Sequence, residues 1–221
     1  FILFRLTGKF MVDRSIATGC GLYNILKLEW DKDLLTILGI SENQLSEVVP
    51  TTHVEYSIQP DIARLLGISP HTAIMPGAGD GAMSTIGSGT VSPGQLTAMV
   101  GTSGAVRVIS DKPGVDEQGR TWCYNMTDRY WLLGGAINNG GLSLRWIRDQ
   151  LLDRVCQEAK KAGMDPYNLL NSYAAEIPAG SAGLILLPLF TGERAPYWNA
   201  NARGVLFGLS LNHDKRHIVR A

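Results

Sequence analysis

Thr72-Ala-Ile-Met-Pro76 runs straight into Gly77-Ala-Gly-Asp80 and then into small residues as far as Gly87. An apolar run, a glycine turn, one carboxylate and a helix form the pattern of an open α/β sheet whose site lies beyond the carboxyl ends of its strands. The pattern predicts a buried strand over 72–76 and a helix over 81–87. Upstream, 31–39 and 60–67 read as short helices. The first starts on Asp31 and stops at Gly39; the second has Pro60 in its first turn and Gly67 as its stop. From Gln95 the period becomes that of strands, at 96–100, 105–109, 121–126 and 130–133. Residues 140–161 read as the longest helix, with Leu144, Ile147, Leu151, Val155 and Ala159 as its apolar stripe and Gly163 as its stop. Residues 184–189 read as a second buried strand, and 192–204 as a loop of turn formers. The change of pattern at 87–93 predicts a domain boundary, giving domains 1–86 and 87–221.

Composition removes whole classes of function. Twenty basic and twenty acidic side chains leave a formal net charge of zero, so a nucleic-acid binder working by bulk charge is excluded. No stretch approaches the ~18 apolar residues of a membrane span. Three widely spaced cysteines with no CxxC pair, and four scattered histidines, argue against disulfides and against a metal site. They fit a reducing, cytoplasmic setting. Charged residues are 18% and hydrophobic residues 45%, against a usual charged share of roughly 25%, so the chain can bury a core. Phe1 lies inside an apolar run and Ala221 inside the start of a helix, which reads as a piece of a longer cytoplasmic protein.

Four places can carry chemistry. Asp80, between Gly79 and Gly81, is placed either to accept the proton of a substrate hydroxyl or to cap a helix. Gly101-Thr-Ser-Gly104, between two strands, is either an anion nest of N–H and hydroxyl donors or a plain hairpin turn. Asn138-Asn-Gly-Gly141 opens a helix. That end can meet a nucleotide, or Asn139 can simply cap it; Arg145 and Arg148 follow on the helix. The loop Thr191-Gly-Glu-Arg-Ala-Pro-Tyr-Trp-Asn199 is stiff and polar, and can line a cleft or plug one. No GxxxxGK[ST] loop occurs, and the run at Gly77 lacks the third glycine of a dinucleotide-binding GxGxxG.

In order and spacing these stretches resemble the FGGY carbohydrate kinases. The resemblance is carried by Arg5–Gly8, Gly77–Asp80, Gly101–Gly104, Gly134–Gly141, Leu187–Trp198 and Gly204–Leu209, and covers essentially the whole chain. Within the family it is most similar to gluconate kinases, through Gly101-Thr-Ser-Gly-Ala-Val-Arg107, Asp111-Lys-Pro113, Gly119–Tyr124 and Gly192–Trp198. Xylulose and other pentulose kinases share much of the frame.

The resemblance implies an α/β, ribonuclease-H-like (actin-like ATPase) two-domain fold. This chain would be the end of the sugar-binding domain and the first part of the ATP-binding domain. It implies ATP and Mg²⁺ as cofactors and phosphorylation of a sugar acid, D-gluconate giving 6-phosphogluconate. Asp80 would be the general base, with Gly81 and Arg194 beside the substrate. Gly101, Thr102, Ser103, Gly104, Gly140, Gly141 and Arg145 would face the nucleotide. Glycerol kinases place Gln where this chain has Gly81, which opens space for a longer acceptor. A homodimer is compatible with the resemblance. The family's first phosphate loop, Asp-x-Gly-Thr, is absent from these residues, so the 221 residues alone are expected to be inactive. The rivals are a pentulose or polyol acceptor, and an actin-like module that binds nucleotide without turnover; the presence of Asp80 speaks against the second.

Overall fold

The computed structural model describes residues 1–221. Phe1–Thr97 with Arg107–Gly134 form one compact unit, and Ala98–Val106 with Gly135–Ala221 a second. The first unit opens with α1 (Ile2–Thr7), β1 (Met11–Asp13), α2 (Arg14–Gly19), β2 (Tyr23–Asn24), β3 (Glu29–Trp30), α3 (Lys32–Leu38), β4 (Glu47–Val49) and α4 (Pro60–Leu66). β1 and β4 pair in parallel, Met11 opposite Glu47. The expected helices over 31–39 and 60–67 are α3 and α4. The Asp31 side chain accepts the Leu34 N–H, and Gly39 and Gly67 close their helices at φ of 68°, a conformation that favours glycine.

Next come α5 (Asp80–Gly87), β5 (Leu96–Val100), β6 (Gly104–Ser110), β7 (Trp122–Asn125) and β8 (Trp131–Ile137), with the sheet order β5-β6-β8-β7. The strand pattern from Gln95 onward is therefore present, β8 running further than expected. The core of the first unit forms where α5 lies on this sheet. Ala82 and, one turn on, Ile86 meet Ile109, Met126 and Leu132. Alternation along β6 puts Arg107 and Ile109 on the same buried face.

The 72–76 run is not a buried strand. Ile74 makes a single antiparallel bridge to Glu55, and Met75 is 56% exposed. A strand is stabilised by cross-strand neighbours, and here the Glu55 segment alone supplies one. Two backbone hydrogen bonds make that bridge, at 2.9 and 2.8 Å, and the Glu55 side chain adds an ion pair beside it. Lys9 Nζ sits 2.6 Å from Glu55 Oε2, and the Lys9 and Ser57 hydrogen bonds lower the Glu55 carboxyl from an ordinary 4.5 to about 2. Its stabilisation is complete above about pH 4.5 and is lost as pH falls through about 2. Glu55→Gln should therefore flatten the fall in melting temperature between these pH values. An unchanged acid profile would remove Glu55 as a support of the segment leading to Asp80.

The second unit continues with α6 (Gly141–Trp146), a π-helical turn (Ile147–Leu151), α7 (Asp153–Lys161), α8 (Pro166–Ala175), β9 (Ile185–Leu187), β10 (Val205–Phe207) and α9 (Lys215–Arg220). Ile147, Leu152, Val155 and Leu170 form its core, with Leu144, Leu186 and Ile218 against them. The single helix expected over 140–161 is broken at Leu152, whose N–H reaches back five residues to Ile147 O at 3.1 Å. A π turn carries one extra residue and shifts the apolar stripe by one. Leu152 is buried in place of Leu151, which is 45% exposed. The strand expected over 184–189 is β9, but it is not buried. It pairs with β10 alone, and Ile185 and Leu187 are about half exposed.

Candidate functional site

The carboxylate of the first unit is set by its turn. Gly77 has φ +84°, and a Cβ on Gly79 would stand 3.3 Å from Ser15 Oγ, which accepts the Gly79 N–H at 3.2 Å. Asp13, whose side chain caps α2 through the Ile16 N–H, lies in the same support. Burial raises its carboxyl above the ordinary range, and the Ile16 N–H pulls it back. The N-cap of α5 is Gly79, so Asp80 is a helical residue and not the cap. Asp80 is exposed, and its Oδ1 accepts the Gly81 N–H at 2.8 Å. On its other side Gly81 faces Arg107: a Cβ there would come within 3.3 Å of the guanidinium Nε.

In the second unit, two glycine motifs interlock. The N–H groups of Gly140 and Leu142 donate to Thr102 O at 3.0 and 3.2 Å, and that of Gly141 to Gly101 O at 2.7 Å. A Cβ on Gly140 would sit 2.7 Å from Ser103 O and 2.8 Å from Gly101 O. The start of α6 is thus occupied by carbonyls of the 101–103 turn. Thr102 and Ser103 are exposed, and neither their N–H groups nor their hydroxyls are bonded within the protein. A turn held from behind with four donors outward can take phosphate oxygens.

Asn139 does not cap α6; the N-cap is Gly140. Buried at 5% exposure, Asn139 donates to Gly192 O at 3.0 Å and accepts from the Thr191 N–H and hydroxyl. Asn138 donates to Thr191 O. The pair clamps the 191–199 loop. Gly192 has φ +78°, and a Cβ there would be 2.8 Å from Ala200 O. Arg194 is exposed and lines a hollow of about 190 Å³ with Asn138, Asn139 and Glu193. Arg145 is exposed on α6, whereas Arg148 pairs with Asp149 and lies 4.7 Å over the Tyr167 ring.

The structure therefore brings Gly101–Gly104 together with Gly140 and Gly141, and places Arg194 beside the Asn clamp. Asp80 and Gly81 belong to the first unit. Sequence reasoning missed Arg107 and the clamp role of Asn138 and Asn139. A charged residue at an inward position of an alternating strand was the available signal for Arg107. Nothing local distinguishes an Asn that caps from one that clamps a loop 52 residues away.

The chain matches the N-terminal domain of the FGGY family of carbohydrate kinases over residues 1–87 and its C-terminal domain over residues 96–221. It is 42% identical to a gluconokinase of Bacillus subtilis (strain 168) along all of its own length and 43% of that protein. The structure superposes on a gluconate kinase from Lactobacillus acidophilus with a TM-score of 0.89 at 41% identity, covering 99% of this chain and 43% of that one. A ligand-bound xylulose kinase from the same organism gives the same TM-score, identity and coverage. The chain thus spans less than half the length of these relatives. No helix is long and apolar enough to cross a membrane. With both domains matched and the α/β structure superposing on kinases of this type, the chain has the actin-like, ribonuclease-H-like fold and belongs to the FGGY family of carbohydrate kinases.

Proposed function

We propose that the protein containing this chain transfers the γ-phosphoryl group of ATP to the terminal hydroxyl of a sugar acid, D-gluconate giving 6-phosphogluconate. The likeness to gluconokinase along the whole chain carries the choice of acceptor. In this reading residues 1–86 belong to the sugar-binding domain and 87–221 to the nucleotide-binding one.

Asp80 receives the hydroxyl proton as the hydroxyl oxygen bonds to phosphorus and ADP departs with the electrons of the broken P–O bond. Its exposure and its place at the amino end of α5 suit a group that must reach a substrate. Gly81 leaves room beside it, and Arg194 offers a polar contact to the acceptor. The Gly101–Gly104 turn holds phosphate oxygens through Thr102 and Ser103, and Gly140 and Gly141 hold the turn. Arg145 adds positive charge on the nucleotide side. When bound, MgATP supplies the phosphoryl group and masks its charge, and a Mg²⁺ that keeps most of its waters needs no cage of protein carboxylates.

Xylulose is the second reading, favoured by the equal likeness to the xylulose kinase structure. Initial rates of the natively encoded protein on gluconate, xylulose, ribulose and glycerol decide between them. The highest kcat/KM is expected for gluconate, and a clear preference for xylulose would replace it.

Thr102→Val tests the phosphate turn. The change nearly keeps shape and removes one donor. Losing a hydrogen bond to a charged partner costs about 1.5–3 kcal/mol, roughly ten- to hundredfold in the KM for ATP, in turnover, or in both. Gluconate binding should be untouched. A plain hairpin would show normal kinetics and only a small change in melting temperature.

A further inference from the structure

Arg107 is 7% exposed. Its Nε and Nη1 are buried and have no hydrogen-bond partner. It is not a surface cation folded down by chance, since the alternation of β6 turns it to the same face as core residue Ile109. Its guanidinium lies against Gly81: a Cβ there would stand 3.3 Å from Nε, 3.5 Å from Nη2 and 3.6 Å from Cζ. Any other residue at 81 would crowd the guanidinium.

A buried cation with idle donors is costly unless a partner completes it. Here the protein supplies none. The guanidinium lies against the first turn of α5, an eight-residue helix whose amino end already favours negative charge. Asp80, the acidic residue of that turn, spends its Oδ1 on the Gly81 N–H. The corner is therefore built for an anion that arrives from outside. The planar fork of a guanidinium matches a carboxylate with two parallel hydrogen bonds. Arg107 belongs with Asp80 and Gly81 to the first unit, whereas the Thr102–Ser103 turn belongs to the second. The anion is accordingly sought on the acceptor rather than on the nucleotide.

We propose that Arg107 is the specificity-determining residue for an anionic acceptor: its buried guanidinium beside Gly81 pairs with the carboxylate of a sugar acid. This rests on the kinase reading above and leaves Arg194, an exposed residue, as a polar contact to the acceptor rather than the partner of its carboxylate. Gly81 is then explained by the space it leaves for the guanidinium.

The test compares the natively encoded protein with Arg107→Met, Arg107→Lys and Arg194→Met. Calorimetric titrations use D-gluconate, D-glucitol (the neutral analogue with CH₂OH in place of the carboxylate) and ATP, alongside steady-state kinetics and melting curves. Arg107→Met should weaken gluconate by about 10²-fold, the scale of a lost buried charge pair, and change glucitol and ATP by less than about threefold. Arg107→Lys should restore part of the gluconate preference. Ligand-free Arg107→Met should melt no lower than the parent, because an unpaired buried charge has been removed. Arg194→Met, which removes a polar contact to either acceptor, should weaken gluconate and glucitol alike and so keep the preference for gluconate. The proposal is overturned if gluconate and glucitol weaken equally, if ATP binding is lost instead, if Arg107→Met melts well below the parent, or if Arg194→Met abolishes the preference. Failure of the kinase reading looks different: the unmodified protein would then phosphorylate no acceptor at all, and both ideas would fall.

Discussion

Replacing Asp80 by Asn is expected to lower turnover of the natively encoded protein by about 10²-fold or more, the scale of a lost general base. In barrier height that is about 2.7 kcal/mol. The substitution isolates the chemistry from the fold. The one hydrogen bond of the Asp80 side chain is from the Gly81 N–H to Oδ1 at 2.8 Å. An Asn keeps an oxygen there and gives up only the small, solvent-screened contribution of a carboxylate beside the helix amino end. The melting temperature should therefore stay within a degree or two, and ATP affinity should hardly change. If Asp80 serves only the helix, Asp80→Asn will be close to silent in kinetics, whereas Asp80→Ala will lower stability. Near-normal turnover in the Asn variant would end the assignment of Asp80 as the base.

Gly140→Ala is expected to damage stability and nucleotide binding together. An added Cβ would lie 2.7 Å from Ser103 O and 2.8 Å from Gly101 O, well inside contact distance of two backbone atoms. Neither carbonyl can swing away freely. Gly101 O accepts the Gly141 N–H, and Thr102 O between them accepts from Gly140 and Leu142. Relief must come from moving the whole turn. Overpacking of this kind costs about 1–3 kcal/mol, or roughly 2–10 °C in melting temperature at this size. The displaced turn should also raise the KM for ATP at least tenfold on the scale of one charge-assisted hydrogen bond. Gly87→Ala is the control. Its Cβ would meet nothing within 4 Å and its φ is not positive, so that variant should match or slightly exceed the parent in stability. Unchanged melting and ATP kinetics for Gly140→Ala would show that the interlock of the two motifs has no functional weight.

Short-range signals were legible wherever one residue settles a local conformation. Asp31 with Gly39, and Pro60 with Gly67, fix α3 and α4 because caps act within four residues. The turn at 101–104 and the helix after Gly79 follow from the same kind of chemistry. The order and spacing of the glycine motifs also sufficed to place the chain in its family. The sequence determined, in short-range terms, which backbone stretches turn, which start helices, and which polar groups stand at those turns.

How those groups are used depends on contacts made across the fold. The apolar run at 72–76 has strand composition but a single bridging neighbour, so it stays extended and half exposed. Periodicity over 140–161 is helical throughout, yet a π turn moves burial from Leu151 to Leu152, because packing against Val155 and Leu170 outweighs one regular hydrogen-bond pattern. Asn139 looks like a cap and is a clamp on Thr191 and Gly192, since its partners lie 52 and 53 residues away. Arg107 reads as one charge in a strand, and becomes meaningful only when the fold buries it against Gly81 with its donors unpaired. In each case the deciding energy is a contact between residues distant in sequence, and a local pattern carries no record of which partner will be there.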